Sequence, residues 1–226
     1  MLTAIDKRRE LALFKTKKEA ISFAVSYFSS LASKIIKKKG SFYVVIPGGK
    51  TPLPFFKKLS KEKIDWSKIF IFFSDERVDL SNYHMAISSG LPKQNLFKME
   101  ADKNISQNAR RYEKSIIELV GKELFDLVIL GVGEDGHTAS LFAKTKALQS
   151  KRLVEANFIP LLNSRRMTIT LKCINESKRI CFFAPGDKKR PILEKVLSSS
   201  KKYPASLVGT KTNKALWIAS NKKPWA

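Results

Sequence analysis

The chain has 226 residues, 43 of them Lys or Arg against 20 Asp or Glu, for a formal charge of +23. With 43% hydrophobic and 10% aromatic residues it can bury a sizeable core, which excludes wholesale disorder. No apolar run approaches the ~18 residues needed to cross a bilayer, and two cysteines, Cys173 and Cys181, are too few for a disulfide framework or a cysteine-based zinc site.

Strand-like and helix-like segments alternate along the chain. Residues 11–14 (LALF) read as a short first strand. Thr16 with Glu19 three residues on forms a capping box. Behind it Ala20, Ala24, Phe28, Leu31 and Ile35 share one helical face, and Gly40 stands where a C-cap belongs. Residues 41–46 (SFYVVI) are an apolar, β-prone run that breaks at Pro47-Gly48-Gly49, with a helix expected to start at Pro52. Residues 69–73 (IFIFF) repeat that pattern and end in Ser74-Asp75-Glu76-Arg77. Helices are expected over residues 82–88 and 106–120. Residues 125–130 (FDLVIL) then run into Gly131-Val132-Gly133-Glu134-Asp135-Gly136-His137. Strands over 167–171, 180–184 and 215–219, with a helix over 187–198, complete the pattern. Continuously apolar strands alternating with amphipathic helices predict a mostly parallel sheet with helices on both faces. With no linker, repeat or low-complexity tract, a single α/β domain over residues 1–226 is expected.

The charge bears on function. The lysines are spread along the chain rather than gathered in a tail, and the densest runs, 37–39 and 188–190, border helices. A solvated, lysine-rich surface is therefore favoured over a dedicated nucleic-acid face. A field of this sign draws in anions, phosphorylated metabolites among them. The N-terminal MLTAIDKRRE lacks the apolar stretch of a secretory signal, so a reducing cytoplasm is the expected location.

In open α/β sheets ligands gather beyond the carboxyl ends of strands. Three such ends are rich in polar residues here: PGGKT, SDER and GVGEDGH. Their convergence on one crevice is the central structural expectation. The paired glycines Gly48 and Gly49, with Lys50 and Thr51, suit an anion, but the P-loop pattern fails because Val44 stands where its first glycine belongs. Gly131 to Gly136 match the dinucleotide fingerprint literally, with Glu155 downstream. Yet Glu134 and Asp135 would set carboxylates where a pyrophosphate lies. A tight turn presenting Asp135 and His137 explains the same letters better.

Of the two histidines, His84 lies in a helical stretch and is expected to be structural. His137 leaves a glycine turn at a strand's end, where an imidazole can transfer protons near neutral pH. Asp135 is placed to orient its ring or accept a substrate hydroxyl. Arg77 reads as an inward ion pair or ligand clamp, with Asp75 and Glu76 as its holders. Neither Ser140 nor Cys173 has the neighbours of an activated nucleophile, no G-x-S-x-G elbow occurs, and no cluster suggests a metal.

Taken together, GGKTP (48–52), SDERV (74–78), SNY (81–83), GVGEDGHTASLF (131–142), RMTIT (166–170) and YPASLV (203–208) resemble the 6-phosphogluconolactonases in content and order, over nearly the whole chain. The histidine block is the most specific part. The sequence departs from the family pattern at Ala143, at residues 161–164, at Ser220-Asn221, and in a short spacer between SDER and SNY. The resemblance implies a single Rossmann-like domain, similar in fold to glucosamine-6-phosphate deaminases, working without metal or organic cofactor. It implies hydrolysis of 6-phosphogluconolactone to 6-phosphogluconate in the oxidative pentose phosphate pathway. His137 matches the catalytic histidine, Arg77 the active-site arginine, and Gly48 to Thr51 the sugar-phosphate turn. Asp75 belongs with that pocket, and Arg166 and Lys189 match basic positions near the phosphate. The deaminases carry a glutamate five residues after the matching histidine, where this chain has Phe142. A deaminase and a basic nucleic-acid-binding module are the alternative readings. The expected partner is a small phosphorylated sugar lactone, with no specific nucleic acid and no membrane, acting on a monomer.

Overall fold

The computed structural model describes residues 2–79, 81–198 and 202–221. The chain opens with β1 (Leu2–Ala4) and β2 (Arg9–Phe14), then α1 (Lys17–Lys39), β3 (Phe42–Ile46), α2 (Leu53–Leu59), β4 (Ile69–Phe73) and β5 (Asp75–Arg77). It continues through α3 (Asn82–Ser88), β6 (Leu96–Phe97), α4 (Ile105–Leu119) and β7 (Leu127–Leu130). The last part holds β8 (Val154–Ile159), β9 (Ser164–Ile169), α5 (Leu171–Glu176), β10 (Ile180–Pro185), α6 (Arg190–Ser198) and β11 (Ala215–Ser220). Eight strands form the main sheet in the order β1-β2-β11-β10-β7-β3-β4-β6. Every neighbouring pair is parallel except β1 with β2.

The order has one turning point that matters for function. From β3 the chain moves outward through β4 to β6; from β7 it moves the opposite way through β10 to β11. The reversal lies between β3 and β7, where a crevice opens at the carboxyl edge. α1 starts with the expected capping box: Glu19 N–H donates to Thr16 Oγ1, and Thr16 N–H donates to the Glu19 carboxylate. It ends at Gly40, whose φ of 83° closes the last turn. α1 and α2 cover one face, where the ring of Phe28 meets those of Phe42 and Phe55 edge-on. Phe72 pairs in register with Val45, an odd number of residues from Phe42, so its side chain points to the other face. There it meets Tyr112 of α4. Helices on both faces follow from strands that are apolar all round.

The structure departs from the sequence expectation in having a second sheet, and β1, β5, β6, β8 and α5 are elements that the expectation did not contain. The strand expected over 167–171 is β9, displaced toward the N-terminus, and it does not join the parallel sheet. It pairs antiparallel with β5 and β8 in a separate three-stranded sheet, order β5-β9-β8. β5 follows β4 after a single residue, Ser74, so the chain steps directly from one sheet to the other. An apolar run marks a strand but not its partner, and β1, β5 and β6 are too short to leave a periodic trace. Met167 and Ile169 are buried in the common core, which fixes the small sheet over the carboxyl edge of the large one.

Candidate active site

The three strand ends do converge. Gly48, Gly49 and Thr51 after β3, Ser74, Asp75 and Arg77 after β4, and Gly131, Val132, Gly133 and His137 after β7 line one cavity of about 200 Å³. Arg166 of β9 and Lys189, just before α6, complete its wall. Gly49 has a φ of 85°, in the region glycine favours. The N–H groups of Gly48 and Gly49 have no hydrogen-bond partner among the described residues. Gly48 cannot carry a side chain: a Cβ there would lie 1.9 Å from Cγ of Asn82.

The turn after β7 builds a dyad. Gly136 N–H donates to Gly133 O at 3.1 Å and Gly133 N–H donates to His137 O at 2.9 Å, which folds the loop back on itself. Asp135 Oδ1 lies 2.5 Å from His137 Nδ1 and accepts from His137 N–H at 3.2 Å. Burial acts to raise the Asp135 pKa, but the charge and hydrogen bonds of His137 outweigh it and hold the carboxyl below its ordinary range. With Nδ1 engaged, Nε2 is the nitrogen free to exchange protons. A Cβ on Gly133 would fall 2.2 Å from His137 Cε1 and Nδ1, so the ring lies directly on that glycine. On another side the Phe142 ring stacks on the imidazole, centroids 4.1 Å apart at 20°. The last glycine of the turn is roofed by Tyr203, whose ring sits where a Gly136 Cβ would point.

Facing the dyad are cations. The β5–β9 pairing sets Arg77 opposite Arg166. Arg166 is only 8% exposed; burial first, and then the charge of Arg77, lower its pKa. Among the described residues its side chain makes one hydrogen bond, from Nε to Ser164 Oγ at 3.4 Å, and neither arginine has a salt bridge within 4 Å. Two under-satisfied guanidinium groups side by side form a receptor for an anion. Lys189 Nζ donates to Val132 O at 2.8 Å, which holds the ammonium at the crevice wall.

Asp75 and Glu76 do not hold Arg77 by its guanidinium, contrary to expectation. Asp75 accepts from Ser140 Oγ at 2.7 Å and from Ser74 Oγ at 3.0 Å. Glu76 is buried and accepts from the N–H groups of Arg77, Asn82 and Tyr83 and from Ser81 Oγ. Short range decides this: α3 begins close to Glu76 and offers free N–H groups. Lys50 also departs from expectation, since it is exposed and outside the crevice lining. The turn at Gly49 brings Thr51, not Lys50, back to the cavity. Asp135 reaches the site only through His137. His84 is exposed rather than packed, and Glu155 lies in β8, where it accepts from Ser150 Oγ. No helix follows the 131–136 turn, which removes the dinucleotide reading of those glycines.

Sequence reasoning missed Asn82 and Phe183 as lining residues. Asn82 was visible within SNY, and its Nδ2 donates to Asp75 O at 2.8 Å, tying α3 to the crevice. Burial pushes both cysteine thiols up, far from thiolate chemistry. Among the described residues no group of His, Cys, Asp and Glu could hold a metal ion, and no helix is long and apolar enough to cross a membrane.

The geometry agrees with comparison to known proteins. A family model described as "Glucosamine-6-phosphate isomerases/6-phosphogluconolactonase" matches residues 15–217. The chain belongs to that family. A 6-phosphogluconolactonase of Chlamydia pneumoniae is 37% identical, over 93% of this chain and 88% of that protein. One from Chlamydia trachomatis is 35% identical over 97% and 91%. The crystal structure of 6-phosphogluconolactonase from Thermotoga maritima superposes with a TM-score of 0.82 at 28% identity, covering 93% of this chain and 99% of that one.

Proposed function

We propose that the protein hydrolyses 6-phosphogluconolactone to 6-phosphogluconate, a step of the oxidative pentose phosphate pathway. The observation that carries this reading is the His137–Asp135 contact in the same cavity as Arg77, Arg166 and Lys189. Asp135 accepts from Nδ1–H, so Nε2 presents its lone pair. It takes a proton from water as the water oxygen bonds to the lactone carbonyl carbon. Negative charge moves to the carbonyl oxygen, where Arg77 or the free N–H groups of Gly48 and Gly49 receive it. The carbonyl then re-forms, the bond to the ring oxygen breaks, and the imidazolium returns its proton to that oxygen. The phosphate at the other end is held by Arg166 and Lys189, charge-assisted contacts worth ~1.5–3 kcal/mol each. That grip fixes the carbonyl near the base.

Phe142 speaks against deaminase chemistry. Its ring lies against the imidazole, at the position where deaminases carry a glutamate, and a phenyl group moves no protons. The test is acid release on adding fresh 6-phosphogluconolactone, followed against the spontaneous background. Wild type accelerates it, and His137→Ala loses about 10²–10⁴ in turnover with a smaller change in KM. Wild-type turnover in His137→Ala removes the proton-transfer role, and ammonia release from glucosamine 6-phosphate reverses the choice of activity.

A further inference from the structure

We propose that Phe142 is a positioning residue that couples the two ends of the site, linking the anion held by Arg166 to the orientation of the His137 ring. The inference rests on the lactonase reading and adds to it a path between phosphate capture and the base.

Phe142 is 7% exposed, yet two groups of the crevice approach its ring. One is the His137 imidazole, centroids 4.1 Å apart at 20°; the other is the Arg166 guanidinium, with Cζ 5.5 Å from the ring centroid. The imidazole is confined on three counts: Gly133 beneath it, Asp135 at Nδ1, and Phe142 against its plane. The first two belong to its own loop. Phe142 brings it into ring contact with Arg166 of the small sheet. The Phe142 backbone is itself anchored, its carbonyl accepting from Thr145 N–H and Thr145 Oγ1–H. Arg166, by contrast, has most of its N–H donors unused. An anion that engages those donors settles the guanidinium over the phenyl face, and the stack passes that ordering to the imidazole. Cation–π and aromatic stacking energies are of the size needed for a modest, measurable linkage.

A purely structural aromatic would predict something else: loss of stability with no link between phosphate and histidine. The chain contains only two histidines, and His84 is exposed on α3, so it serves as an internal reference. Inorganic phosphate is titrated at constant pH into wild type, Phe142→Leu and Phe142→Tyr, and the imidazole ring protons are followed by NMR. The expected result is a saturable movement of the His137 resonances in wild type and Phe142→Tyr, little or none in Phe142→Leu, and none at His84. In parallel, kcat falls about tenfold in Phe142→Leu with a smaller change in KM, and Phe142→Tyr restores it to within a few-fold of wild type. A His137 response equally large in Phe142→Leu, or absent in wild type at saturating phosphate, overturns the coupling. A wild type that fails to hydrolyse the lactone sinks the lactonase reading instead, while the phosphate titration still judges the stack.

Discussion

At the scale of single residues, the dyad carries a pH consequence. The Asp135 carboxyl is held below the ordinary carboxylate value of ~3.9. A depressed folded-state pKa means that the contact is fully present above the unfolded value and fades as pH falls through the folded one. Across pH 5–8 Asp135 therefore stays ionised, and a wild-type pH–rate profile in that window carries no limb of its own from this group. Asp135→Asn removes the negative charge beside Nδ1–H and puts an amide donor where it can hold the other imidazole tautomer, and turnover falls by roughly ten- to a hundredfold with KM nearly constant. Gly48 makes a steric prediction. Gly48→Ala drives a methyl into Asn82, which cannot retreat without leaving Asp75. The cost is about 1–3 kcal/mol in urea unfolding, and adding Asn82→Ala recovers much of it. Among the candidate residues, those on glycine turns at strand ends were legible, because few other roles explain such letters there. Lys50 was not, since adjacent residues in a turn face different ways, and Phe183 was not, since one more phenylalanine in an apolar strand looks like every other.

Elements explain why two distant basic residues act together. Arg77 and Arg166 are 89 positions apart, and only the antiparallel register of β5 with β9 makes them neighbours. The sequence pattern revealed both residues and hid the pairing, because short strands carry no label for their partners. The first long helix was easier: the Thr16–Glu19 box and Gly40 mark both ends of α1. Glu76 is the brace between elements, accepting from the Arg77 N–H on β5 and from two N–H groups and a hydroxyl at the start of α3. Glu76→Ala strands those buried donors, and we expect a loss of about 2–4 kcal/mol in denaturant unfolding. Because the brace carries both Arg77 and Asn82, KM for the phosphorylated lactone rises in the same variant.

For the whole molecule, the formal charge of +23 surrounds a crevice whose own free groups are cationic. The long-range part of that attraction is screened, with a Debye length of ~10 Å at 0.1 M salt. Raising ionic strength to about 0.5 M should therefore raise KM several-fold, while kcat, set inside the cavity, changes little. A kcat that tracks salt as steeply as KM contradicts this division. The same charge predicts weak, sequence-blind association with nucleic acid that vanishes over the same salt range.

The reversal of strand order between β3 and β7 has a kinetic corollary. The loops it joins belong to halves of the chain that fold toward opposite flanks, and they meet only when the central strands lock together. After dilution from denaturant, recovered turnover should therefore lag behind far-ultraviolet ellipticity. Catalysis becomes a late milestone of assembly, sensitive to the last seam to close.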